Sequence, residues 1–414
     1  MEVRNIDQKE FDDLKKRLYG EVITKAQMSG NSEDDEIRKI IAGEVINVSK
    51  NRYMSLEEKK KLENAVFAAI RGYDVLQELL EAEDVTEIMV NGIQNIFYEK
   101  AGRLYRHKAA FESREKLDDV IQKIAAGANR MVNEANPILD ARLPGGERAN
   151  IVLSPVAVKG STITIRKFPK EVMTIDKLIE LGSLTEEAAD FLRKLVVAGY
   201  NIFVSGGTGS GKTTFLNALS DFIPKDQRVI TIEDSAELQL HGIDNLVALE
   251  ARNVNSEGKN AVTIRDLIKS SLRMRPDRII LGEVRDAACV DMLQAFNTGH
   301  SGMSTGHSNS PVDMLSRMET MVLLGADIPL AAVRRQIASA VDIIIHLARF
   351  RDKTRKVVEI TEITGYENGE VTLNSLYRFF EEEEKEGRVS GTLKSTGNRL
   401  KRTGKLKAAG INPE

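Results

Sequence analysis

The eight residues 206–213, Gly-Gly-Thr-Gly-Ser-Gly-Lys-Thr, constrain the fold of this chain more than any other stretch. They fit the phosphate-binding pattern G-x-x-x-x-G-K-[ST]. A short apolar run, residues 201–204, precedes them, and residues 214–219 follow with the composition of a helix. In such a strand–loop–helix unit the glycines let successive backbone N–H groups point inward, where they bind phosphate. The pattern predicts binding of a nucleoside triphosphate; the alternative is a glycine-rich loop without a ligand.

The side chains of this loop have separate predicted tasks. Lys212 would reach the β- and γ-phosphates, and the hydroxyl of Thr213 would bind Mg²⁺. The residues assigned to the nucleotide are Gly206, Gly207, Thr208, Gly209, Ser210, Gly211, Lys212, Thr213 and Thr214.

Composition argues against several other classes of protein. The 414 residues carry a net charge of −3 and no Trp, and aromatic residues make up 5%. A nearly neutral chain with few stacking rings is not typical of a nucleic-acid-binding protein. The single cysteine, Cys289, rules out an internal disulfide and a four-cysteine zinc site, and it suits a reducing cytoplasm. We expect no membrane span and no signal peptide.

Changes in composition and hydrophobic periodicity along the chain predict four segments. Helical apolar stripes come first, mixed short strands and helices follow, and β-branched apolar runs alternating with helices then indicate a parallel-rich sheet. The predicted fold class is α/β: a phosphate-loop nucleotide domain preceded by a smaller α+β domain and an N-terminal helical segment. The predicted boundaries are 1–60 for the helical segment, 61–168 for the α+β domain, 169–380 for the nucleotide domain and 381–414 for a charged tail.

Two details of this organisation are specific expectations. Residues 174–198 are predicted to form one helix, which with the preceding residues 168–170 links the two domains. The tail starts with the acidic run Glu381–Glu384 and carries six basic residues between Lys394 and Lys407. We expect a solvated, flexible segment, or alternatively a contact with anionic lipid or a membrane partner.

Three further clusters carry acids or histidines. The first, residues 231–237, places Glu233 and Asp234 at the carboxyl end of an apolar strand, the edge where open parallel sheets bind ligands. These acids could organise Mg²⁺ or the attacking water, or they could simply cap the next helix. In the second cluster Gly282 takes the usual position of an aspartate, and Glu283 is the acid placed to polarise water.

The third cluster, residues 298–308, contains His300 and His307 among Gly, Ser and Thr. Two histidines without a third ligand nearby make a poor metal site. We expect a loop in which His307 senses the γ-phosphate; the alternative is that either histidine is a structural residue. The predicted metal ligands are Thr213, Glu233, Asp234 and Glu283.

Together the loop and the three clusters resemble the secretion ATPases of the type II/type IV superfamily, and most closely the CpaF/TadA-like ATPases of Tad pilus systems. Residues 206–214 match the Walker A segment, 231–238 the aspartate box, 278–286 an atypical Walker B element and 298–307 the histidine box. Residues 84–92 and 140–148 resemble the N-terminal domain of that family. The resemblance covers about residues 60–400. It implies a RecA-like domain that uses ATP and Mg²⁺.

The resemblance also implies a homohexameric ring in which the domain before the nucleotide domain brings arginines to the phosphates. By motif position the candidates are Arg142, Arg148 and Arg166. The predicted catalytic set is Glu283, Glu233, His307 and Lys212 together with these three arginines, and Glu283 is preferred as the general base.

One departure from the family pattern favours particular branches of the superfamily. Many pilus-extension ATPases carry a four-cysteine zinc module, which Cys289 alone cannot build, and this favours the Tad or VirB11-like branches. We expect a cytoplasmic ATPase at the inner membrane that powers pilus assembly or secretion through an integral-membrane platform, without a nucleic-acid partner. The alternatives are a nucleic-acid translocase or conjugation ATPase, and a nucleotide-dependent scaffold with low turnover.

Overall fold

The computed structural model describes residues 8–29, 33–50, 52–168, 173–252, 261–382, 387 and 389–413. The chain divides into two compact units, Met1–Lys170 (unit 1) and Glu171–Glu414 (unit 2). Residues 169–170, part of the predicted link between domains, lie outside the described residues. Within the described ranges no helix is long and apolar enough to span a membrane.

Unit 1 begins with three helices that pack on one another. They are α1 (Gln8–Ser29), α2 (Asp34–Lys50) and α3 (Leu56–Ile70). The apolar stripes of the first two helices meet in a common core, where Leu18 and Ile41 are fully buried. α3 begins with a capping box, in which the side chains of Ser55 and Glu58 accept hydrogen bonds from each other's backbone N–H groups. The helical segment therefore buries its own apolar surface.

A six-stranded antiparallel sheet and a covering helix complete unit 1. After a 3-10 turn at Asp74–Leu76 come α4 (Gln77–Glu81), β1 (Val85–Asn91), β2 (Asn95–Lys100), β3 (Arg103–Arg106), α5 (Arg114–Gly127), β4 (Ile138–Arg142), β5 (Arg148–Val152) and β6 (Thr162–Arg166). The strand order is β3-β2-β1-β6-β5-β4. Ile163 and Ile165 of β6 pack in one core with α5, because alternate residues of a strand share a face. The opposite face carries polar residues, including Arg166.

Unit 2 is built on a nine-stranded sheet. Its elements are α6 (Ile175–Glu180), α7 (Glu186–Val197), β7 (Ile202–Gly206), α8 (Lys212–Ser220), β8 (Val229–Glu233), β9 (Leu246–Glu250), α9 (Ile264–Ser271), β10 (Arg278–Leu281), α10 (Ala288–Asn297), β11 (Ser301–His307), α11 (Pro311–Gly325), α12 (Leu330–Ala340), β12 (Ile343–Arg349), β13 (Arg355–Glu367), β14 (Glu370–Glu381), β15 (Gly391–Ser395) and α13 (Gly404–Ala408). The strand order is β15-β14-β13-β12-β7-β11-β10-β8-β9. The six strands from β12 to β9 in this order are parallel, and the other pairs are antiparallel.

The parallel strands lie between two apolar cores, one with α6–α8 and α13 and one with α9–α12. Every residue of β7, β8 and β10 is buried, which explains their almost uniformly apolar sequences. The α/β fold class predicted from the sequence is confirmed. In such a sheet the carboxyl ends of neighbouring strands meet at one edge, and the phosphate loop follows β7 at that edge.

The prediction of a single helix over residues 174–198 is wrong. The segment forms α6 and α7, separated by a turn in which Gly182 adopts a φ of 66°. A new helix begins because the hydroxyl of Thr185 accepts a hydrogen bond from the backbone N–H of Ala188.

The prediction of a flexible tail is also wrong for residues 389–413. β15 pairs with β14, and Leu393 and Leu406 are buried in the core of unit 2. The Nζ of Lys405 lies 2.7 Å from the carboxylate of Asp342, which is only 3% exposed. The carboxylate of Glu362 accepts backbone N–H groups of this segment at 2.7 to 3.1 Å. Buried acids therefore hold the basic segment in place. Part of the predicted acidic run, residues 383–384, lies outside the described residues.

Residues 301–307 form a strand, β11, where the sequence predicted a loop. β11 lies between β7 and β10 near the middle of the sheet. The Gly, Ser and Thr residues of this segment are typical of a loop, but here they are explained by close packing against neighbouring side chains. A Cβ on Gly306 would lie 2.8 Å from the ring of Phe203, and one on Gly302 would overlap the ring of Phe296.

Candidate active site

The phosphate loop connects β7 to α8 in the predicted manner. Gly211 is the residue before α8 and adopts a φ of 92°, which favours glycine. A Cβ on Gly206 would lie 2.6 Å from the Oγ of Ser210 and would collide with the carbonyl of Leu347. These glycines are therefore required by the closeness of the loop to its neighbours as well as by its turn.

Two donors of the loop converge on one point. The Nζ of Lys212 lies 3.1 Å from the carbonyl oxygen of Gly207, and the backbone N–H of Ser210 donates to the same oxygen at 3.3 Å. The Lys212 side chain is buried, at 7% exposure. A buried ammonium and an inward N–H directed at one oxygen suit an anionic oxygen of a phosphate.

A chain of contacts runs from Lys212 to Glu283. The Nζ of Lys212 is 3.2 Å from Nδ1 of His307, and Nε2 of His307 is 3.2 Å from Oε1 of Glu283. Burial and then the charge of Lys212 lower the pKa of His307, so the ring is neutral at pH 7. Because an ammonium faces Nδ1, we assign the ring proton to Nε2, on the side of the carboxylate.

Arg285 lies beside Glu283 and fixes its carboxylate. Its Nη2 donates to Oε2 of Glu283 at 2.7 Å. Burial raises the pKa of Glu283, but this hydrogen bond and the charges of Arg285, His307 and Lys212 together lower it more, so the pKa lies below its usual value. Oε1 of Glu283 is buried, and although Nε2 of His307 lies 3.2 Å away, the two atoms are not aligned as a hydrogen bond. An ionised carboxylate with one unsatisfied oxygen suits binding of a water or a cation.

Glu233 is the second acid of the site, at the end of β8. It is 3% exposed, and its Oε1 accepts backbone N–H groups of Glu237 and Leu238 at 2.8 and 3.0 Å. Burial raises the pKa of Glu233 to about 7, although these two hydrogen bonds oppose the shift. At pH 7 Glu233 is therefore partly protonated, whereas Glu283 is ionised.

Gly282 is a glycine because Glu233 occupies the adjacent space. A Cβ on Gly282 would lie 2.8 Å from both Cγ and Oε1 of Glu233. The sequence showed that the usual aspartate of a Walker B strand is missing here. The structure shows that the carboxylate of the neighbouring strand takes up that volume.

The remaining predicted ligands of the metal are less enclosed. Asp234 is exposed, and Thr213 on the first turn of α8 is half-buried. In the part of the chain that the structure describes, no three His, Cys, Asp or Glu side chains are grouped so as to hold a metal ion. Proteins often bind Mg²⁺ through one or two side chains while phosphates and waters supply the other ligands, and the Mg²⁺ ligands named from the sequence remain a prediction.

The three predicted arginines belong to unit 1, whereas the other predicted site residues belong to unit 2. Arg142 of β4 is the direct partner of Arg148 in β5, and Arg148 is the direct partner of Arg166 in β6. Their neighbours Ala149 and Ile165 are in the core, so the three guanidinium groups share the outer face of the sheet.

Two contributions to this site were missed by the sequence reasoning. Arg285, two residues after Glu283, was included in the atypical Walker B element without a role of its own. Arg355 of β13 donates from Nε to the carbonyl oxygen of Gly209 in the phosphate loop, at 2.9 Å. Arg285 could have been found from its spacing to Glu283, but no local signal connects Arg355 to a loop about 146 residues earlier.

Comparison with known proteins identifies the family of this chain. Residues 71–403 match the model of the family described as Type II/IV secretion system protein. The chain belongs to this family. The predicted resemblance to the secretion ATPase superfamily is thereby confirmed, and the chain is an ATP-hydrolysing enzyme of that family.

Several relatives are similar over most of their length. A putative conjugal transfer protein of Mycobacterium tuberculosis is 36% identical over 298 residues, which are 70% of this chain and 84% of the relative. The type IV secretion system protein PtlH of Bordetella pertussis is 34% identical over 313 residues, 69% of this chain and 92% of PtlH. The structure of the Legionella pneumophila ATPase DotB matches 72% of this chain and 81% of DotB, with a TM-score of 0.52 and 20% identity, and this supports the fold.

Proposed function

We propose that this protein is a cytoplasmic, Mg²⁺-dependent ATPase motor that powers a Tad-type pilus or a related secretion apparatus. The observation that carries the proposal is the chain of contacts from Lys212 through His307 to Glu283 beside the phosphate loop. A protein that only held nucleotide would need the loop, but not an ionised carboxylate behind it. This arrangement argues against the scaffold alternative.

Each side chain in this chain of contacts has a task in the proposed hydrolysis. Lys212 and the N–H groups of the loop bind the β- and γ-phosphates. Glu283 accepts a proton from the attacking water, because its carboxylate is ionised and Oε1 has no aligned hydrogen bond. His307 loses its contact with Lys212 when the ammonium turns to the γ-phosphate, and it thereby senses that phosphate. Mg²⁺, held by the phosphates and the hydroxyl of Thr213, would neutralise charge on the transferred group.

The row formed by Arg142, Arg148 and Arg166 is the proposed second source of positive charge. Arg142, Arg148 and Arg166 share one face of the sheet as direct cross-strand partners. We infer that this row contacts the phosphates of the nucleotide, as the family resemblance implies, and an arginine in this role can contribute about a thousandfold in rate.

The proposed assembly is a homohexameric ring at the cytoplasmic face of the inner membrane, in contact with an integral-membrane platform. Membership of the secretion family supports this assignment. Peripheral contact with the membrane is part of the proposal, but the basic segment 394–407 is a poor candidate because buried acids bind part of it.

A conjugation-type motor is the second candidate. The observation in its favour is the similarity to the relative from Mycobacterium tuberculosis, which is named a putative conjugal transfer protein. Such a role would still use the ATPase site, but it could involve nucleic acid. The net charge of −3 and the absence of Trp argue against direct binding of nucleic acid by this chain.

The test is ATP turnover of the full chain over a range of protein concentrations, with mass measured by light scattering. The proposal predicts that turnover per subunit rises as a hexamer forms, and that Arg148→Ala lowers it by about a hundredfold or more without loss of ADP binding. Arg103→Ala is the matched control, because Arg103 lies in β3, the edge strand farther from Arg148 in the same sheet. It is expected to keep wild-type turnover. Turnover independent of concentration would contradict the ring, and stimulation by DNA that falls steeply with salt would favour the conjugation motor.

A further inference from the structure

The phosphate loop has a wall on its outer side. This wall is the hairpin formed by β12 and β13. Its first strand, β12, lies beside β7, and Leu347 of β12 is the direct partner of Gly206. At the end of the hairpin Arg349 and Arg355 are direct cross-strand partners. Both reach the loop, since a Cβ on Gly209 would lie 3.5 Å from Nη1 of Arg349.

The most specific contact is made by Arg355. Its Nε donates to the carbonyl oxygen of Gly209 at 2.9 Å, and its Cδ lies 3.3 Å from the position of a Cβ on Gly211. In a trans peptide the carbonyl and the following N–H point in opposite directions. Holding the Gly209 carbonyl outward therefore directs the N–H of Ser210 into the loop, where it already points at the carbonyl of Gly207.

The hairpin is held firmly enough to act in this way. The ring of Phe350 packs against Phe379, with centroids 5.2 Å apart. The carboxylate of Asp352 accepts hydrogen bonds from the backbone N–H groups of Thr354 and Val389 at 2.9 and 2.8 Å. A donor on a fixed element can hold its acceptor in one orientation, whereas a donor on a mobile loop cannot.

We propose that Arg355 is a positioning residue for nucleotide binding: it fixes the Gly209–Ser210 peptide so that the Ser210 N–H faces the β-phosphate. This inference rests on the proposed use of the loop for ATP. Because the β-phosphate is common to ADP and ATP, loss of Arg355 weakens both to the same extent. Because the contact is equally present in the ground state and the transition state, it affects KM more than kcat.

The experiment measures Kd for ADP and for a non-hydrolysable ATP analogue on the full chain, together with kcat and KM for ATP. Arg355→Ala is expected to weaken both ligands about five- to tenfold, with kcat within about twofold of wild type, since one exposed hydrogen bond from a charged donor is lost. Arg355→Lys retains a donor for the carbonyl and is expected to recover most of the affinity. The unfolding temperature without nucleotide should stay near that of wild type.

Lys353→Asn is the matched control. Lys353 lies in the turn of the same hairpin, and its φ of 71° suits asparagine, so the change removes a positive charge without touching the Gly209 contact. Its affinities are expected to equal those of wild type. An equal loss in Lys353→Asn would mean that only the charge of the hairpin matters, and a loss confined to the ATP analogue would mean direct contact with the γ-phosphate. Either result, or unchanged ADP binding in Arg355→Ala, overturns the inference.

Lys212→Ala separates this inference from the proposed function. If Lys212→Ala binds ADP as well as wild type does, the loop is not the nucleotide site and the proposed function fails. If Lys212→Ala loses ADP binding while Arg355→Ala keeps it, only the role of Arg355 is wrong.

Discussion

Replacing Gly282 by alanine tests whether Glu233 occupies the volume of the missing Walker B aspartate. The added Cβ would lie 2.8 Å from Cγ and Oε1 of Glu233, closer than carbon atoms approach in packed proteins. The Glu233 side chain is 3% exposed and accepts two backbone N–H groups, so it has little freedom to move away. We expect Gly282→Ala to displace the carboxylate and to lower ATP turnover to the level of Glu233→Ala.

The expected cost in stability follows from the same contacts. Overpacking of this kind lowers the free energy of unfolding by about 1–3 kcal/mol. In the Glu233→Ala background the clashing atoms are gone. There Gly282→Ala should be neutral or stabilise by up to about 1 kcal/mol, because alanine restricts the unfolded chain. The two substitutions are therefore strongly coupled.

The assay is a double-mutant cycle by urea unfolding, followed by circular dichroism and accompanied by ATP turnover for each variant. We expect a coupling free energy of about 1–4 kcal/mol, with the double variant more stable than Gly282→Ala alone. Additive effects of the two substitutions would show that Glu233 does not fill this space, and the reasoning would then be refuted.

Three further expectations concern titration and packing. The pKa of Glu233 is about 7 in the folded protein, against an ordinary value of 4.5, so the stability it contributes is full below pH 4.5 and is lost as the pH rises through 7. The free energy of unfolding of Glu233→Gln without nucleotide, measured relative to wild type, should therefore rise by up to about 3 kcal/mol between pH 5 and pH 8. Urea unfolding that gives the same difference between the two proteins at both pH values contradicts this. Leu406→Ala should destabilise unit 2 by about 2–4 kcal/mol, whereas a flexible tail would give no change in the unfolding temperature. Asp342→Ala should cost more stability than Lys405→Ala, because Asp342 is buried and also accepts the N–H of Asn201; equal costs would show that the ion pair alone matters.

The sequence predicted those parts of the fold and site that depend on local pattern. The phosphate loop, the strand before it and the helix after it all carry local signals, and each is present in the structure.

The errors arose where distant contacts decide the local structure. β11 has the composition of a loop, but the rings of Phe203 and Phe296 pack on its glycines and make a central strand of it. The basic C-terminal segment has the composition of a solvated tail, but the buried carboxylates of Asp342 and Glu362 hold it against the sheet. Charge counting along the sequence does not reveal partners that the fold brings from other strands.

Within the site, the sequence predicted which residues take part but not which role each acid has. Glu233 ends one apolar strand and Glu283 follows another, and the sequence favoured Glu283 as the base without an electrostatic reason. The structure separates them, because burial raises the pKa of Glu233 to about 7 while Arg285 and its neighbours lower the pKa of Glu283. The preference for Glu283 remains a prediction, now with an electrostatic reason.

The most direct test of the proposed hydrolysis is ATP turnover by Glu283→Gln compared with wild type, with ADP affinity measured on the same samples. Glutamine keeps the shape of the side chain but cannot accept the proton of the attacking water. We expect turnover to fall by about a hundredfold or more while ADP binds as in wild type. Turnover close to that of wild type would show that Glu283 is not the base and that the chain of contacts from Lys212 to Glu283 does not carry hydrolysis.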